Sequence, residues 1–427
     1  MEGVYSLMNV LVSQTKKVKG KVNILSSKSE LHRLILISAF ADEKTEISFN
    51  GKPSKDVLAT ISCIRSIGAN VKIEEGKIIV TPISEITDDV ADVFCNESGS
   101  TLRFILPMFT AIGKNISVTV SGRLGDRPLS PMYEILESNG ATLSGNGKYP
   151  LVASGRFLGG SVEIAGNVSS QFISGLLMAM PLTKNGGSVK VIGAFESRPY
   201  VDITIGMMEK FGVTVTEKDN LFTVSGKYKS PKKVMAGGDW SNTAFFACLG
   251  AISKKTVITG LDFNSLQGDK KVAKILAEFG AKVKEKGNAL TVKKNKLQAV
   301  EIDAKDIPDM VPALSIVASV SKGKTVFKNA ERLRLKESDR IKSVVNMINS
   351  LGGEAEETPN GLIVIGKEKL KGGTVDGAND HRIVMSASIA SAVCENQVII
   401  EGSEAVEKSY PQFFEIIKTI GFNVEEK

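Results

Sequence analysis

One phrase recurs six times along the chain and limits its fold more than any other feature: an apolar helical tail, a glycine, then a short alternating strand. The copies read CIRSIGANVKI, EILESNGATLS, MMEKFGVTVTE, ILAEFGAKVKE, MINSLGGEAEE and EIIKTIGFNVEE. Their glycines, Gly68, Gly140, Gly212, Gly280, Gly352 and Gly421, stand 68 to 72 residues apart. A glycine there predicts the left-handed residue that follows a helix C-terminus, and the alternation after it predicts an amphipathic strand. Five copies continue into a second strand, such as KIIV from Lys77 to Val80 or GLIVI from Gly361 to Ile365. The sixth stops short of it, and the N-terminal segment VYSLMNVLV is expected to supply the missing strand, closing the repeat on itself.

A second phrase keeps step with the first: small polar residues, then a helix that is apolar nearly all round. Its copies begin near Ser27, Ser98, Ser169, Trp240, Ile307 and Asp380. A helix without a polar face must lie inside the protein. Six copies of strand, helix, strand, helix and hairpin therefore predict an α/β protein of two domains, each with three βαβαββ repeats around buried parallel helices. The expected domains are 21–239 and 1–20 together with 240–427, the boundary following the lysine-rich loop KYKSPKK. Parallel helices within a domain bring several N-termini to one face, where unpaired N–H groups and the helix dipole favour anions. A cleft rich in anion sites is expected between the two domains.

Composition narrows the chemistry. Across 427 residues, 42% are hydrophobic and 24% charged, which excludes a disordered or collagen-like chain. Lysine and arginine exceed the acidic residues by seven, a balance that suits anionic ligands. Four scattered cysteines form no C-x-x-C pair, so a reducing compartment is expected, and two histidines are too few for a histidine-rich metal site. No run approaches the roughly 18 apolar residues of a membrane span, and the N-terminus lacks a signal-peptide pattern. The expected location is cytoplasmic. No phosphate-binding P-loop, dinucleotide fingerprint or nucleophile elbow occurs, which leaves nucleotide-dependent chemistry without support.

The polar residues gather where the buried helices begin. In SSKSELHR, Ser27 and Glu30 have capping-box spacing, while Lys28 is a cation where the dipole disfavours one, so an anion is expected beside it. ESGSTLR repeats the theme with Gly99, Ser100, Thr101 and Arg103. GRLGDRP carries Arg123 and Arg127 in a loop where solvated arginines are the commoner outcome. VSSQF offers two hydroxyls and an amide, more than capping needs, and SRPYVDI adds Ser197, Arg198 and Tyr200. Asp309 in IPDMVPAL reads as a carboxylate at a helix mouth; RLRLKESDR reads, on composition alone, as a solvated charged face. NDHR opens the last buried helix with Asp380, His381 and Arg382.

In this order and register, SSQF, SRPYVDITIGMMEKFGV, LKESDR and NDHR resemble the EPSP synthases, the 3-phosphoshikimate 1-carboxyvinyltransferase branch of the enolpyruvyl transferase family, across almost the whole chain. The resemblance implies an inside-out α/β barrel of two domains, each of three βαβαββ units. It implies transfer of the enolpyruvyl group of phosphoenolpyruvate to the 5-hydroxyl of shikimate 3-phosphate, releasing phosphate, on the route to chorismate and the aromatic amino acids. Lys28, Gly99, Arg127, Gln171, Arg340, Arg382 and Lys408 then surround phosphoenolpyruvate. Lys28, Ser29, Arg33, Ser169, Ser170, Gln171, Ser197, Asp309 and Lys336 hold shikimate 3-phosphate. Asp309 is implied as base for the hydroxyl, with Glu337 and Lys28 handling the proton at the phosphoenolpyruvate carbon. Neither metal nor organic cofactor is implied, the family is usually monomeric, and the domains are expected to close over the ligands. The chain departs from the family pattern at His32, Glu97, Trp240 and Arg332.

Two rival functions compete with this reading. The sister enzymes that transfer enolpyruvate to UDP-N-acetylglucosamine rely on a cysteine in the loop that here reads GRLGDRP, and no cysteine lies between Cys95 and Cys248. An RNA-binding or RNA-end-processing protein on a related repeat is permitted by the charge. Interspersed acids, one tryptophan and six tyrosines argue against it. Small-molecule partners, with no nucleic acid and no membrane, are the expectation.

Overall fold

The computed structural model describes residues 8–14, 18–145 and 148–427. The chain divides into two compact units, one of Ser26–Gly237 and the other of Met1–Leu25 with Gly238–Lys427. Among the described residues six four-stranded sheets are present, three in each unit, and every sheet has one parallel pair followed by two antiparallel pairs. In the repeat from Ala91 to Gly155, Ala91–Phe94 runs parallel to Ile116–Thr119, and the hairpin Ala141–Leu143 with Leu151–Gly155 completes the sheet. That order is the βαβαββ unit of the sequence pattern.

The first helix of each repeat is buried on all sides. Every residue of Val311–Ala318 and of His381–Ala390 is buried, and in Gly99–Ala111 all but Ser100. In Ser26–Gly237 these inner helices are Lys28–Ser38, Gly99–Ala111 and Ser170–Ala179; in the other unit they are Trp240–Ile252, Val311–Ala318 and His381–Ala390. Each set lies within its own hydrophobic core. Two of them advance side by side in the same direction: the Gln171 side chain meets Ser100, and a Cβ placed on Gly175 would lie 2.2 Å from the Arg103 carbonyl oxygen. Only glycine permits that approach. The second helix of each repeat lies outside and ends at a glycine of the repeated phrase. All six glycines have positive φ, from 77° at Gly212 to 109° at Gly421.

Two strands change places relative to the simple repeat. Lys19–Asn23 pairs in parallel with Lys255–Thr259, and Lys233–Met235 pairs in parallel with Thr45–Ser48. Residues 21–25 therefore belong with Gly238–Lys427, and the unit limits fall at 25/26 and 237/238 rather than at 20/21 and 239/240. Sheet pairing decides this, because a strand belongs with the ladder that satisfies its N–H and C=O groups. Val10–Gln14 lies antiparallel between Val398–Glu401 and Phe422–Glu426. Residues 4–7 of the segment assigned to this strand lie outside the described residues.

Candidate functional site

In the unit Ser26–Gly237, three inner helix starts carry the polar residues. Ser27 caps the first, its Oγ accepting the Glu30 N–H at 3.4 Å. The reciprocal half of the capping box is not made. Ser27 N–H donates to the Gly237 carbonyl at 2.7 Å, and the Glu30 carboxylate accepts the Gly237 N–H at 2.8 Å. The anion that Lys28 calls for is provided within the fold: its Nζ lies 2.7 Å from Asp56 Oδ2, on the first turn of Lys55–Ser66. Asp56 carried no motif; the only signal for it was a cation in a first helical turn.

Arg33 is 1% exposed. Its Nε donates to Thr204 Oγ1 at 2.6 Å, Nη1 to the Ser29 carbonyl at 2.6 Å and Nη2 to the Tyr200 carbonyl at 3.0 Å, and the guanidinium lies 4.8 Å from the Phe104 ring centroid. Burial lowers its pKa to about 10. Ser197, buried at φ 53°, precedes the helix Arg198–Lys210.

At the second start, a Cβ on Gly99 would lie 2.7 Å from Arg127 Nη1 and 2.8 Å from Arg103 Nη1, so bare backbone lets two guanidiniums rest on the helix end. Ser169 caps the third, accepting the Gln171 N–H at 3.3 Å, and Ser170 is buried behind it. Gln171 joins the two starts, donating from Nε2 to Ser100 Oγ at 2.9 Å and accepting from Arg103 Nη1 at 2.7 Å. Arg103 stood outside the expected site set. Arg127 is half-buried, contrary to the solvated loop arginine expected there, whereas Arg123 is exposed.

In the other unit, Asp309 is not on a helix: it lies in the turn before Val311–Ala318. Its Oδ1 accepts Arg340 Nη1 at 2.9 Å, its Oδ2 accepts Arg382 Nη2 at 2.8 Å, and its carbonyl accepts Arg382 Nη1 at 3.2 Å. Arg340 opens the helix Arg340–Ser350, 1% exposed, so this part of RLRLKESDR is interior rather than a solvated face. It donates to both oxygens of Asp380, from Nε to Oδ2 at 2.9 Å and from Nη2 to Oδ1 at 3.3 Å. Burial lowers the pKa of Arg340, but Asp380, Asp309 and Glu337 outweigh it and hold it above the ordinary arginine value. Asp380 also caps the last inner helix through the Arg382 N–H at 2.9 Å.

His381 Nδ1 lies 2.7 Å from Glu337 Oε2. Lys408 donates to the carbonyl and Oδ1 of Asn379 at 2.7 and 2.8 Å, and Lys336 is half-buried in the loop before Arg340. Ligand atoms of Glu337, Asp380 and His381 lie within 4.8 Å of one another. Both Asp380 oxygens bond Arg340, whose guanidinium supplies the positive charge, so these residues fit an arginine rather than a metal ion. Asp269, unmarked in the sequence, is buried and accepts the Ser241 hydroxyl; burial and the nearby Asp309 push its pKa up to about 7. Trp240 is wholly buried, its indole N–H donating to the Asp262 carbonyl at 3.0 Å.

The six-sheet fold is that of the enolpyruvyl transferases. It matches EPSP synthase from Acinetobacter baumannii with a TM-score of 0.82 at 24% identity, covering 99% of this chain and 100% of that one. It also matches the enolpyruvyl transferase NikO from Streptomyces tendae, with a TM-score of 0.78 at 15% identity over 99% of each chain. The sequence is more specific: the chain belongs to the EPSP synthase (3-phosphoshikimate 1-carboxyvinyltransferase) family, whose pattern it matches over residues 12–417. The 3-phosphoshikimate 1-carboxyvinyltransferase of Clostridium kluyveri is 38% identical over 414 residues, 96% of this chain and 97% of the relative.

Proposed function

We infer that this protein transfers the enolpyruvyl group of phosphoenolpyruvate to the 5-hydroxyl of shikimate 3-phosphate, forming 5-enolpyruvylshikimate 3-phosphate and phosphate. The near full-length relationship to 3-phosphoshikimate 1-carboxyvinyltransferases carries this reading. The site's chemistry supports it. The reaction needs a base at the attacking hydroxyl, a proton donor at the methylene carbon, and cations for a carboxylate and two phosphates.

Asp309 takes the hydroxyl proton in this reading. Arg340 and Arg382, which grip its carboxylate, have the fork geometry that binds phosphoenolpyruvate, so substrate and Asp309 share one pair of guanidiniums. Glu337, bonded to His381, and Lys28, bonded to Asp56, are the two proton carriers for the methylene carbon. Arg127, Gln171 and Lys408, with the bare backbone at Gly99, complete the phosphoenolpyruvate contacts. Ser29, Arg33, Ser169, Ser170, Ser197 and Lys336 serve shikimate 3-phosphate; Arg33 does so through the backbone and helix it holds, since its three guanidinium nitrogens already bond protein atoms.

The protein is read as a cytoplasmic monomer needing no cofactor. Its four cysteines are free and buried, and no helix among the described residues is long and apolar enough to cross a membrane. The test is phosphate release with phosphoenolpyruvate and either shikimate 3-phosphate or UDP-N-acetylglucosamine, with the product identified by mass. Release only with shikimate 3-phosphate is expected; release only with the nucleotide sugar would move the protein to the sister enzymes. Sedimentation at working concentration checks the monomer.

A further inference from the structure

His32 lies one turn beyond Lys28 on the first inner helix, 1% exposed, and starts a chain of short hydrogen bonds that leaves its own helix. Its Nδ1 is 2.7 Å from Thr60 Oγ1, Thr60 Oγ1 is 2.7 Å from Thr101 Oγ1, and Thr101 Oγ1 donates to Ser98 Oγ at 2.7 Å. Ser98 in turn accepts the Thr101 N–H at 3.3 Å as cap of the second inner helix, immediately before Gly99.

Counting protons fixes the direction of the chain. A hydroxyl has one proton to give. The Asp56 carbonyl lies 3.5 Å from both threonine hydroxyls, a weaker acceptor than the oxygens 2.7 Å away; Thr101 gives its proton to Ser98, so the proton between Thr60 and Thr101 belongs to Thr60. Thr60 then has none left for the imidazole, and His32 must donate from Nδ1. The ring is therefore the Nδ1–H tautomer, and Nε2 carries a lone pair. That nitrogen is buried and has no hydrogen-bond partner among the described residues. Protonating it is opposed by burial and by the Lys28 and Arg33 cations, which hold the His32 pKa well below its ordinary value.

We propose that His32 is a positioning residue whose Nδ1–H orders the Thr60–Thr101–Ser98 chain and so fixes the helix end at Gly99 that receives phosphoenolpyruvate. Lys28 anchors the same outer helix through Asp56, one turn before Thr60, so the first inner helix grips Lys55–Ser66 twice: by an ion pair at its start and by His32 one turn on. The outer helix then passes that position to the second inner helix through Thr101. With its cap held from both sides, the Gly99 end keeps its place beneath Arg103 and Arg127. This rests on the functional reading above for the ligand, though not for the hydrogen-bond chain.

Two measurements on the full chain test it. In ¹⁵N-resolved imidazole spectra of the unliganded protein, His32 is expected as the Nδ1–H tautomer, unchanged between pH 6 and 8. An Nε2–H tautomer, or titration in that range, would overturn the proposal whatever the protein catalyses. In steady-state kinetics, His32→Leu and Thr60→Val should each raise the KM for phosphoenolpyruvate about 3- to 10-fold, the worth of one hydrogen bond, with kcat within about 2-fold. The double variant should be no worse than the poorer single one, because both break the same chain. His32→Asn, which can still donate to Thr60, should restore most of the KM. Equal loss in kcat and KM, or additive effects, would reduce His32 to a packing residue. A wild type that is inactive with phosphoenolpyruvate would refute the functional reading and leave the spectroscopic test in force.

Discussion

Asp380 and Arg340 form a two-point ion pair in the interior, Nε to Oδ2 at 2.9 Å and Nη2 to Oδ1 at 3.3 Å, with side chains 0% and 2% exposed. Breaking such a pair from one side leaves a buried charge with less to oppose it, which typically costs about 3–5 kcal/mol. Asp380→Asn is expected to lower stability by that order in urea unfolding, and Arg340→Lys, which keeps the charge with one bond in place of two, to lower it by less. An unfolding midpoint unchanged by Asp380→Asn would show that the pair is dispensable.

Asp309 bridges Arg340 and Arg382 and is the proposed base. Replacing it by asparagine keeps a hydrogen-bonding oxygen but removes the proton acceptor, so Asp309→Asn should lower kcat by about 10²- to 10⁴-fold. Phosphate-release kinetics measure this; full turnover would remove Asp309 from the mechanism.

Asp269 gives stability a pH dependence of definite sign. Its carboxyl is pushed up to about 7 in the fold by burial, then Asp309, with Arg382, Ser241 and Asp239 also bearing on it, against an ordinary value of 3.8. Between those pH values the folded state holds more protons than the unfolded one. The Asp269 contribution is therefore full below pH 3.8 and is lost as pH rises through about 7. Asp269→Asn cannot ionise and should gain on the wild type over this range, by at most on the order of 4 kcal/mol. Parallel stability curves for the two proteins from pH 4 to 8 would contradict this.

Gly175 faces the Arg103 backbone so closely that a methyl group would meet the carbonyl oxygen at 2.2 Å. Gly175→Ala must push two buried helices apart, and overpacking of this kind costs about 1–3 kcal/mol. A thermal midpoint several degrees lower is expected, together with a raised KM for phosphoenolpyruvate, because the same two helix starts carry Ser100 and Gln171. An unchanged midpoint would mean that the helices separate freely.

The repeated elements were legible because their signals are local. A glycine past a helix end must adopt positive φ, and all six did; a helix with no polar face has to be interior, and the six inner helices are. Ser27 caps as its spacing suggested, and Ser98, Ser169 and Asp380, each at the start of a buried helix, cap there too. Asp309 did not behave as a helix-mouth carboxylate, since the partners that hold it, Arg340 and Arg382, come from 31 and 73 residues further along the chain. Glu30 likewise bonds Gly237 rather than its own cap, across 207 residues.

By itself, then, the sequence determined the repeat, its helix ends, its buried helices and the family, all of which follow from periodicity, turn stereochemistry and residue type within a few turns of chain. Only the tertiary structure decided that Lys19–Asn23 and Lys233–Met235 exchange repeats, that Asp56 answers Lys28, that Arg340 is buried between two aspartates, and that His32 meets Thr60 through Nδ1. The reason is physical: unpaired strand edges, desolvated charges and hydroxyls with a single proton must find partners in space, and sequence separation places no limit on where those partners lie.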